Sequence, residues 1–365
     1  VGEPASPRPV PGGTEGTQCQ SLSCAAPAPV RPPCSGTPGG AECPTVNRCS
    51  DGDRADRDII DEGGRAWTFW AIGTRWRLTT PEPLSMAVRG RVSAVIEDYD
   101  RVFSRFRDDS VVSAMTRSAG TFELPDCAGD LLETCARVGE LTRGAFNPLV
   151  GAALVHLGYG PDYRLRPSPG HLPAPAWDEV CHWDGRRLTT SVPVTLDVGA
   201  VGKGQLVDLV LAELEGCGIG SNPGEDPGDG PVPQGATGIV VDAGGDVAHR
   251  GTLRVGLEDP ADAARVIGVV TSSGGAVCGS STNRRTWAPG VHHVLDARTG
   301  RPVDGVLATW AAAPNAMLAD AATTALFFEG PTRVSRALGV DALVLHEDGS
   351  AAWSQDGSRE WEVFA

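Results

Sequence analysis

Leu196-Asp197-Val198-Gly199-Ala200-Val201-Gly202-Lys203-Gly204-Gln205-Leu206-Val207-Asp208-Leu209-Val210 reads as a short β-branched strand, a glycine-rich turn and the opening of a helix. Gly199, Gly202 and Gly204 carry no Cβ, so the backbone can turn tightly and approach a ligand. Leu206, Leu209, Val210 and Leu214 recur at helical spacing and give that helix a buried face. A glycine turn feeding a helix start points unpaired N–H groups outward, which predicts a seat for phosphate. An ordinary strand–turn–helix joint has the same pattern. It is not a Walker loop: no glycine stands five residues before Gly202-Lys203, and Gly204 replaces the Ser or Thr that would hold Mg²⁺.

Working outward, 31 Lys and Arg face 46 Asp and Glu, a formal charge of −15. So acidic a chain does not attract nucleic acid or an anionic membrane, although a local basic pocket stays compatible with it. No run approaches the roughly eighteen apolar residues of a spanning helix. At 365 residues the length suits about two domains and a large core.

The first 64 residues differ from the rest. They hold ten Pro, ten Gly and five of the ten Cys, and no Phe, Tyr or Trp. Such a segment buries too little apolar surface to offset its ordering entropy, so residues 1–64 are expected to be a disordered extension. Cys19, Cys24, Cys34, Cys43 and Cys49 form no Cys-x-x-Cys and have no His among them, against a metal knot. No apolar segment of about 7–15 residues follows a basic start, so no secretory signal is visible. The chain as written is expected to be cytoplasmic. It opens with Val, which suggests an over-extended translation start with the true protein beginning near Trp67.

From Arg65 the text reads as one folded unit, 65–365. Trp67–Thr79 alternates as a strand bent at Gly73. Leu84, Val88, Val92, Val95, Ile96, Tyr99, Val102 and Phe103 predict a long amphipathic helix. A loop and a helix from Val111 follow, then a helix through Leu131–Leu141 stopped by Gly144, and a short one opened by Pro148. Residues 159–194 suggest loops and one short strand pair. The segment 220–238 is crowded with Gly, Pro and Asp and reads as a mobile insertion. Strands are expected at Ile239–Asp242, Leu253–Leu257, Val266–Thr271, His292–Leu295 and Leu307–Ala312, and helices at Ala316–Phe328 and beyond. Helices separated by runs of consecutive strands predict an α+β fold rather than a doubly wound sheet.

Three further constellations carry chemistry. Asp320 and Thr324 stand four apart on one helix face and can offer two hard oxygens to Mg²⁺; equally, they can serve the helix itself. On an expected strand, His293 and Leu295 share one face, with His292, Val294 and Asp296 on the other, before the turn Asp296-Ala297-Arg298-Thr299-Gly300. Asp242-Ala243-Gly244-Gly245-Asp246 ends a strand in a glycine pair between two acids, where backbone comes close to something.

Together and in this order these pieces resemble the ApbE family of FAD:protein FMN transferases. The resemblance runs from about Trp67 to the C-terminus. Its matches are Ile72-Gly73-Thr74, Ser104-Arg105-Phe106 to Ser110, Gly144-Ala145-Phe146-Asn147-Pro148, Leu196-Asp197 to Gly204, Asp242 to Asp246, His293 to Gly300 and Ala319-Asp320-Ala321 to Thr324. The resemblance implies an ApbE-like, T-fold-like α+β architecture, mainly antiparallel sheets flanked by helices, with an FAD cleft between two lobes. It also implies Mg²⁺-dependent transfer of FMN from FAD to a Thr or Ser of a target flavoprotein, releasing AMP. By that resemblance Asp320, Thr324 and the Gly202 carbonyl hold Mg²⁺. His293 is the catalytic histidine, with Asp296 in the same motif. Phe106 lies against the flavin, and Gly73, Asn147, Asp197, Lys203 and Gly244 line the FAD cleft.

A base with a pKa near 7 suits a weakly nucleophilic hydroxyl, and histidine supplies one. The chain departs from the family pattern at Asn147 (usually Asp), Phe106 (often Tyr), Gln205 (a frequent Tyr) and Cys278-Gly279-Ser280-Ser281-Thr282 (commonly Ser-Gly-Asp-Tyr). Arg284 and Arg285, just beyond, face either a phosphate, an acidic partner or solvent. A Mg²⁺-dependent FAD pyrophosphatase and a non-catalytic flavin carrier remain alternatives, because the acceptor lies on another protein.

Overall fold

Ala66–Ala71 and Thr74–Thr79 pair antiparallel with Ala71 opposite Thr74, so the chain reverses within Ile72-Gly73. Both residues have positive φ (44° and 75°), as a two-residue hairpin whose turn matches the strand twist requires. The expected bent strand is therefore a hairpin, with Gly73 supplying a reversal instead of a kink.

The computed structural model describes residues 20–21, 59–60, 64–220, 238–355 and 359–364. Of the expected N-terminal extension, Gln20–Ser21 and Ile59–Ile60 fall within these as short strands on the main sheet, together with its last residue, Gly64. The rest of that extension and residues 221–237 of the expected insertion lie outside the described residues.

Among the described residues the main sheet has eleven strands. From one edge its order is Ala351–Ser354, Asp341–His346, Val306–Ala313, Asp262–Ser281, Asp246–Asp259, Val240–Ala243, Thr74–Thr79, Ala66–Ala71, Ile59–Ile60. These neighbours pair antiparallel; Gln20–Ser21 alone runs parallel, beside Val255 and Gly256. The strands expected at Leu253–Leu257 and Val266–Thr271 are segments of two much longer ones, Asp246–Asp259 and Asp262–Ser281. A register shift between Ser272 and Gly274 breaks the longer strand, and Gly274 and Gly275 take φ of 152° and 104° there. On one side of the break Gly268–Thr271 pairs with Glu360–Val363, and on the other Ala276–Ser281 pairs with Val306–Ala313.

Helices cover one face of this sheet. Met86–Phe103 begins at Ser85, whose Oγ accepts the Val88 N–H, and buries Val92, Ile96, Tyr99 and Phe103 as the spacing predicts. Gly202–Gly216 buries Leu206, Val210, Leu211 and Leu214. Ala316–Ala325, capped by Asn315, is buried along Ala319, Asp320, Ala322 and Thr323. These side chains form one core with Trp76, Leu78, Val241 and Ala243 of the sheet. A fully buried leucine here is worth about 1.5–3 kcal/mol. A second cluster, with Val255, Leu257, Val270, Trp310 and Leu343, fills the opposite face.

Two expected strands are absent. Leu196–Val198 pairs with no strand; its neighbour is the start of the short helix Pro148–Val150, where the Asp197 N–H donates to the Pro148 carbonyl at 2.7 Å. His292–Leu295 is not one strand either. Val291–His292 pairs with Thr286–Ala288 and Leu295–Asp296 with Arg301–Pro302, so the expected alternation of faces is interrupted at His293.

Candidate active site

The glycine turn and the late helix meet at Gly204. A Cβ on Gly204 would lie 2.2 Å from the Ala316 carbonyl oxygen and 2.8 Å from the Asp320 Cβ, so only glycine allows this approach. The Gly204 N–H donates to Asp320 Oδ2 at 3.0 Å. In return, the Ala316 and Met317 N–H groups each donate to the Asp208 carboxylate at 2.8 Å. Each helix start is thus satisfied by a carboxylate of the other helix. The predicted phosphate seat is corrected at this point, since the Gly204 N–H is spent on Asp320. Burial lifts the Asp208 carboxyl to about 6, even though both N–H donors favour its charged form.

The turn after Val240–Ala243 brings a second acid to the same place. Gly244 (φ 61°) lies so close to Thr74 that a Cβ would stand 2.0 Å from the Thr74 Oγ1, which docks the first hairpin here. Asp246 follows, fully buried, and the Lys203 ammonium ion-pairs with its Oδ2. Neither Asp246 oxygen receives a hydrogen bond of good geometry. Burial, followed by the Asp246 charge, pushes Asp320 well above the usual carboxylate range, against the weaker pull of Lys203 and the Gly204 N–H. Burial opposes charge on Lys203, but Asp246 and Asp320 together hold its ammonium above the ordinary lysine value. Lys203 and Asp246 balance each other, and Asp320 beside them prefers its protonated form, which a further cation bound there would displace. Gly202 is buried at the first turn of its helix. Thr324 is half-buried one helical turn after Asp320, whereas Thr323 makes the back-bond to the helix, donating to the Asp320 carbonyl at 2.7 Å.

A second cluster stands beside the first. Arg105 is buried, donates to Asp197 Oδ2 at 2.5 Å and to the Tyr159 carbonyl at 2.7 Å, and lies 4.2 Å from the Phe106 ring centroid. The Asp197 Oδ1 accepts the Gly199 N–H, tying this carboxylate to the glycine turn. Phe106 stacks on Tyr163 (centroids 5.3 Å apart, planes 18°) and meets Tyr159 edge-on, and Tyr159 stacks on Trp287. His293 is half-buried, with its Nδ1 enclosed and unpartnered. Burial, then the charges of Arg285 and His292, drive it down to about 3, against the Asp197 carboxylate. Burial foremost, and then the neighbouring cations, hold the imidazole below the near-neutral value expected of a base in the free protein. His292 is structural: its Nε2 meets the Val303 carbonyl at 2.9 Å and its Nδ1 accepts the Val294 N–H.

Other predicted residues act as braces. Asn147 caps Pro148–Val150, its Oδ1 accepting the Leu149 N–H and its Nδ2 donating to the Pro175 carbonyl. The neighbouring Ala145 carbonyl accepts the Ala297 N–H at 2.8 Å, which joins this loop to the turn after His293. Asp296 is engaged by Arg298 at 2.6 Å, a bond that holds its carboxyl below the usual range, and it lines a separate cavity of about 450 Å³ with Arg143, Arg298 and Phe327. Gly73 sits at the hairpin tip, its Cβ position open. Arg284 is paired with Glu258 at 2.6 Å, and Arg285 is exposed, 6.0 Å from the Tyr159 ring centroid.

Sequence reasoning passed over Asp246, Arg105, Asp208, Tyr159 and Tyr163. The first two stand inside the quoted motifs, and an acid closing a Gly-Gly turn was signal enough for Asp246. Asp208 lies one turn along the helix from Gly204, which the helical period could have flagged. No local pattern marks the two tyrosines.

A family model described as the ApbE family matches residues 72–222 and 233–343. The chain belongs to the ApbE family. Among curated relatives, the FAD:protein FMN transferase of Klebsiella pneumoniae (strain 342) is 24% identical over 337 residues, spanning 85% of this chain and 91% of the relative. That of Treponema pallidum (strain Nichols) is 26% identical over 345 residues, spanning 82% and 89%. Of solved structures, the ApbE protein of Thermotoga maritima superposes with a TM-score of 0.63 at 24% identity, over 80% of this chain and 96% of that one. The flavin transferase ApbE of Vibrio cholerae gives 0.62 at 19% identity, over 80% and 97%. These likenesses identify the mixed helix and antiparallel-sheet architecture as the ApbE fold.

Proposed function

We propose that this ApbE-family chain is an FAD:protein FMN transferase, moving FMN from FAD to a Thr or Ser hydroxyl of a target flavoprotein. The observation that carries this is the meeting of Gly202–Gly204, Asp246 and Asp320 in one cluster, with Asp197 and His293 beside it. The curated relatives named above bear that activity in their names.

The buried acid pair fits a divalent cation, since Asp246 and Asp320 have one ammonium, that of Lys203, between them, and Asp246 Oδ1 has no hydrogen-bond donor among the described residues. Asp320, Thr324 and the Gly202 carbonyl would hold Mg²⁺, which when bound neutralises charge on phosphoryl oxygens and on departing AMP. The acceptor oxygen attacks the FMN phosphorus, the bond to the AMP oxygen breaks, and AMP leaves with the electron pair. His293 takes the hydroxyl proton. Its basicity is low in the free protein, and a diphosphate drawn to Arg285 offsets that cation's part in depressing it. Arg105 keeps Asp197 ionised and anchors Phe106, against which the isoalloxazine lies. Asp296 holds Arg298 and the turn behind His293, a positioning part.

Incubating the purified chain with FAD, Mg²⁺ and an FMN-binding domain tests the reading. A transferase adds the mass of FMN to the domain, and His293→Ala lowers that rate by about 10²–10⁴-fold. Free FMN and AMP with an unmodified domain would identify a pyrophosphatase instead. Intact FAD would leave only a carrier.

A further inference from the structure

The helix Ala316–Ala325 carries Asp320 and Thr324, and its first turn is fastened to the helix Gly202–Gly216. The Ala316 N–H donates to Asp208 Oδ1 and the Met317 N–H to Asp208 Oδ2, each at 2.8 Å. The Leu318 N–H donates to Asn315 Oδ1 at 2.9 Å, and the Ala319 N–H to the Asn315 carbonyl at 3.2 Å. All four N–H groups of this helix start are therefore spent, and none is left for a phosphate. Their acceptors differ in kind. Asn315 is the cap of the same helix and acts locally, whereas Asp208 lies 108 residues before Ala316 and ties one helix to the other.

Three hydrogen bonds join the two helices here. One runs from the Gly204 N–H to Asp320 Oδ2, and two run the other way, from Ala316 and Met317 to Asp208. Asp208 follows Gly204 by about one helical turn, and Asp320 follows Ala316 by about one turn, so each helix is gripped at two successive levels. A pair of helices joined at one level can rock about the bond; a pair joined at two levels resists rocking. Gly202 stands just before the first grip on its helix, and Thr324 stands about one turn after Asp320. The placement of Gly202 relative to Asp320 and Thr324 therefore depends on this frame. Asp208 itself supplies none of the three oxygens assigned to the cation.

We infer that Asp208 is a positioning residue of the cation seat: by holding the start of Ala316–Ala325 with both carboxylate oxygens, it sets where Asp320 and Thr324 stand relative to Gly202. This rests on the Mg²⁺ reading given above. The chemistry of the grip calls for a carboxylate. Two adjacent N–H donors need two acceptor oxygens, and the isosteric amide of asparagine would turn its NH₂ group against one of them.

The test is calorimetric titration of Mg²⁺ into the full chain, free and saturated with FAD, for wild type, Asp208→Asn, Asp208→Glu and Asn315→Ala, with urea unfolding of each. Asp208→Asn is expected to weaken the Mg²⁺ Kd about tenfold or more, the cost of losing a group that orients metal ligands. Asp208→Glu keeps both oxygens but shifts the helix start by a methylene, and its Kd should fall between those of wild type and Asp208→Asn. Asn315→Ala loses a cap on the same helix and lowers the urea midpoint, yet its Mg²⁺ Kd stays within about twofold of wild type. Wild-type Mg²⁺ affinity in Asp208→Asn would overturn the positioning role. So would an equal loss of affinity in Asn315→Ala, because any loosening of the helix start would then suffice. If Asp208→Asn does not fold, Asp208→Glu against Asn315→Ala carries the comparison, and the former must bind Mg²⁺ more weakly. A wild type that takes up no Mg²⁺ in either state would bring down the cation reading itself, and the positioning role with it.

Discussion

At the scale of single residues, His293 carries the clearest electrostatic signature. Its ordinary value is 6.5, and the fold lowers it to about 3. Between those values the unfolded chain binds a proton that the folded chain refuses, so stability rises with pH across that window and is complete above about 6.5. Acidifying from pH 6.5 toward 3 therefore weakens the fold through this group. Replacing His293 by Gln should flatten the dependence of urea-unfolding free energy on pH by up to one proton between pH 4 and 6.5. A slope identical to wild type would mean that the imidazole titrates normally. Lys203 is tolerable in the core because Asp246 and Asp320 both favour its charge, whereas Asp246 and burial disfavour the ionised form of Asp320. The residue types at these positions were legible in the sequence. Their partnerships were not, because Lys203 was read as a ligand for FAD and spends its charge on Asp246.

Among the elements, the crossing of Gly202–Gly216 with Ala316–Ala325 is set by one missing side chain. Gly204→Ala gains about 0.5–1 kcal/mol of helix propensity but forces a methyl onto the Ala316 carbonyl, an overpacking cost of about 1–3 kcal/mol or more. The net expectation is a lower denaturation midpoint together with weaker FAD binding, since Asp320 is pushed away. Gly216→Ala, in the same helix with nothing near its Cβ position, is the control and should raise stability slightly. The helices themselves were readable because their apolar residues repeat at 3.6, as at Val92, Ile96, Tyr99 and Phe103. Strands were harder. Gly73 looked like a bend because alternation continues through it, although an Ile-Gly pair at positive φ closes a hairpin. Glycines at 274 and 275 broke the apparent pattern of a strand that continues through them with a register shift. His293 lies between two strands of two residues each, too short for any period to register.

On the scale of the whole molecule, the sheet is closed late by its C-terminal strand. Glu360–Val363 adds to Gly268–Thr271, and the Asp341 carboxylate, fully buried, takes Arg359 at 3.4 Å and the Trp361 indole N–H at 3.3 Å. Arg359→Ala takes that cation away from a buried carboxylate and should cost about 3 kcal/mol in equilibrium unfolding. A loss below about 0.5 kcal/mol would show that Trp361 and the remaining contacts suffice. The α+β plan could be inferred from the order of helices and strands, and the matching segments stood in the sequence in family order. What no order of letters displays is which segments touch: the Gly144–Pro148 segment reaches Asp197 and Ala297 through backbone hydrogen bonds, and Gly244 lies against the Thr74 side chain, contacts that leave no compositional trace.

The bond from the Gly204 amide to Asp320 spans 116 residues of chain. On the ribosome, a nascent polypeptide would already display its glycine turn, its arginine and its first carboxylates long before the acid that completes them had been made. The pairing of these two helix starts therefore waits on nearly the whole chain, and a product terminated before Asp320 lacks the carboxylate that its Gly204 amide meets in the folded protein.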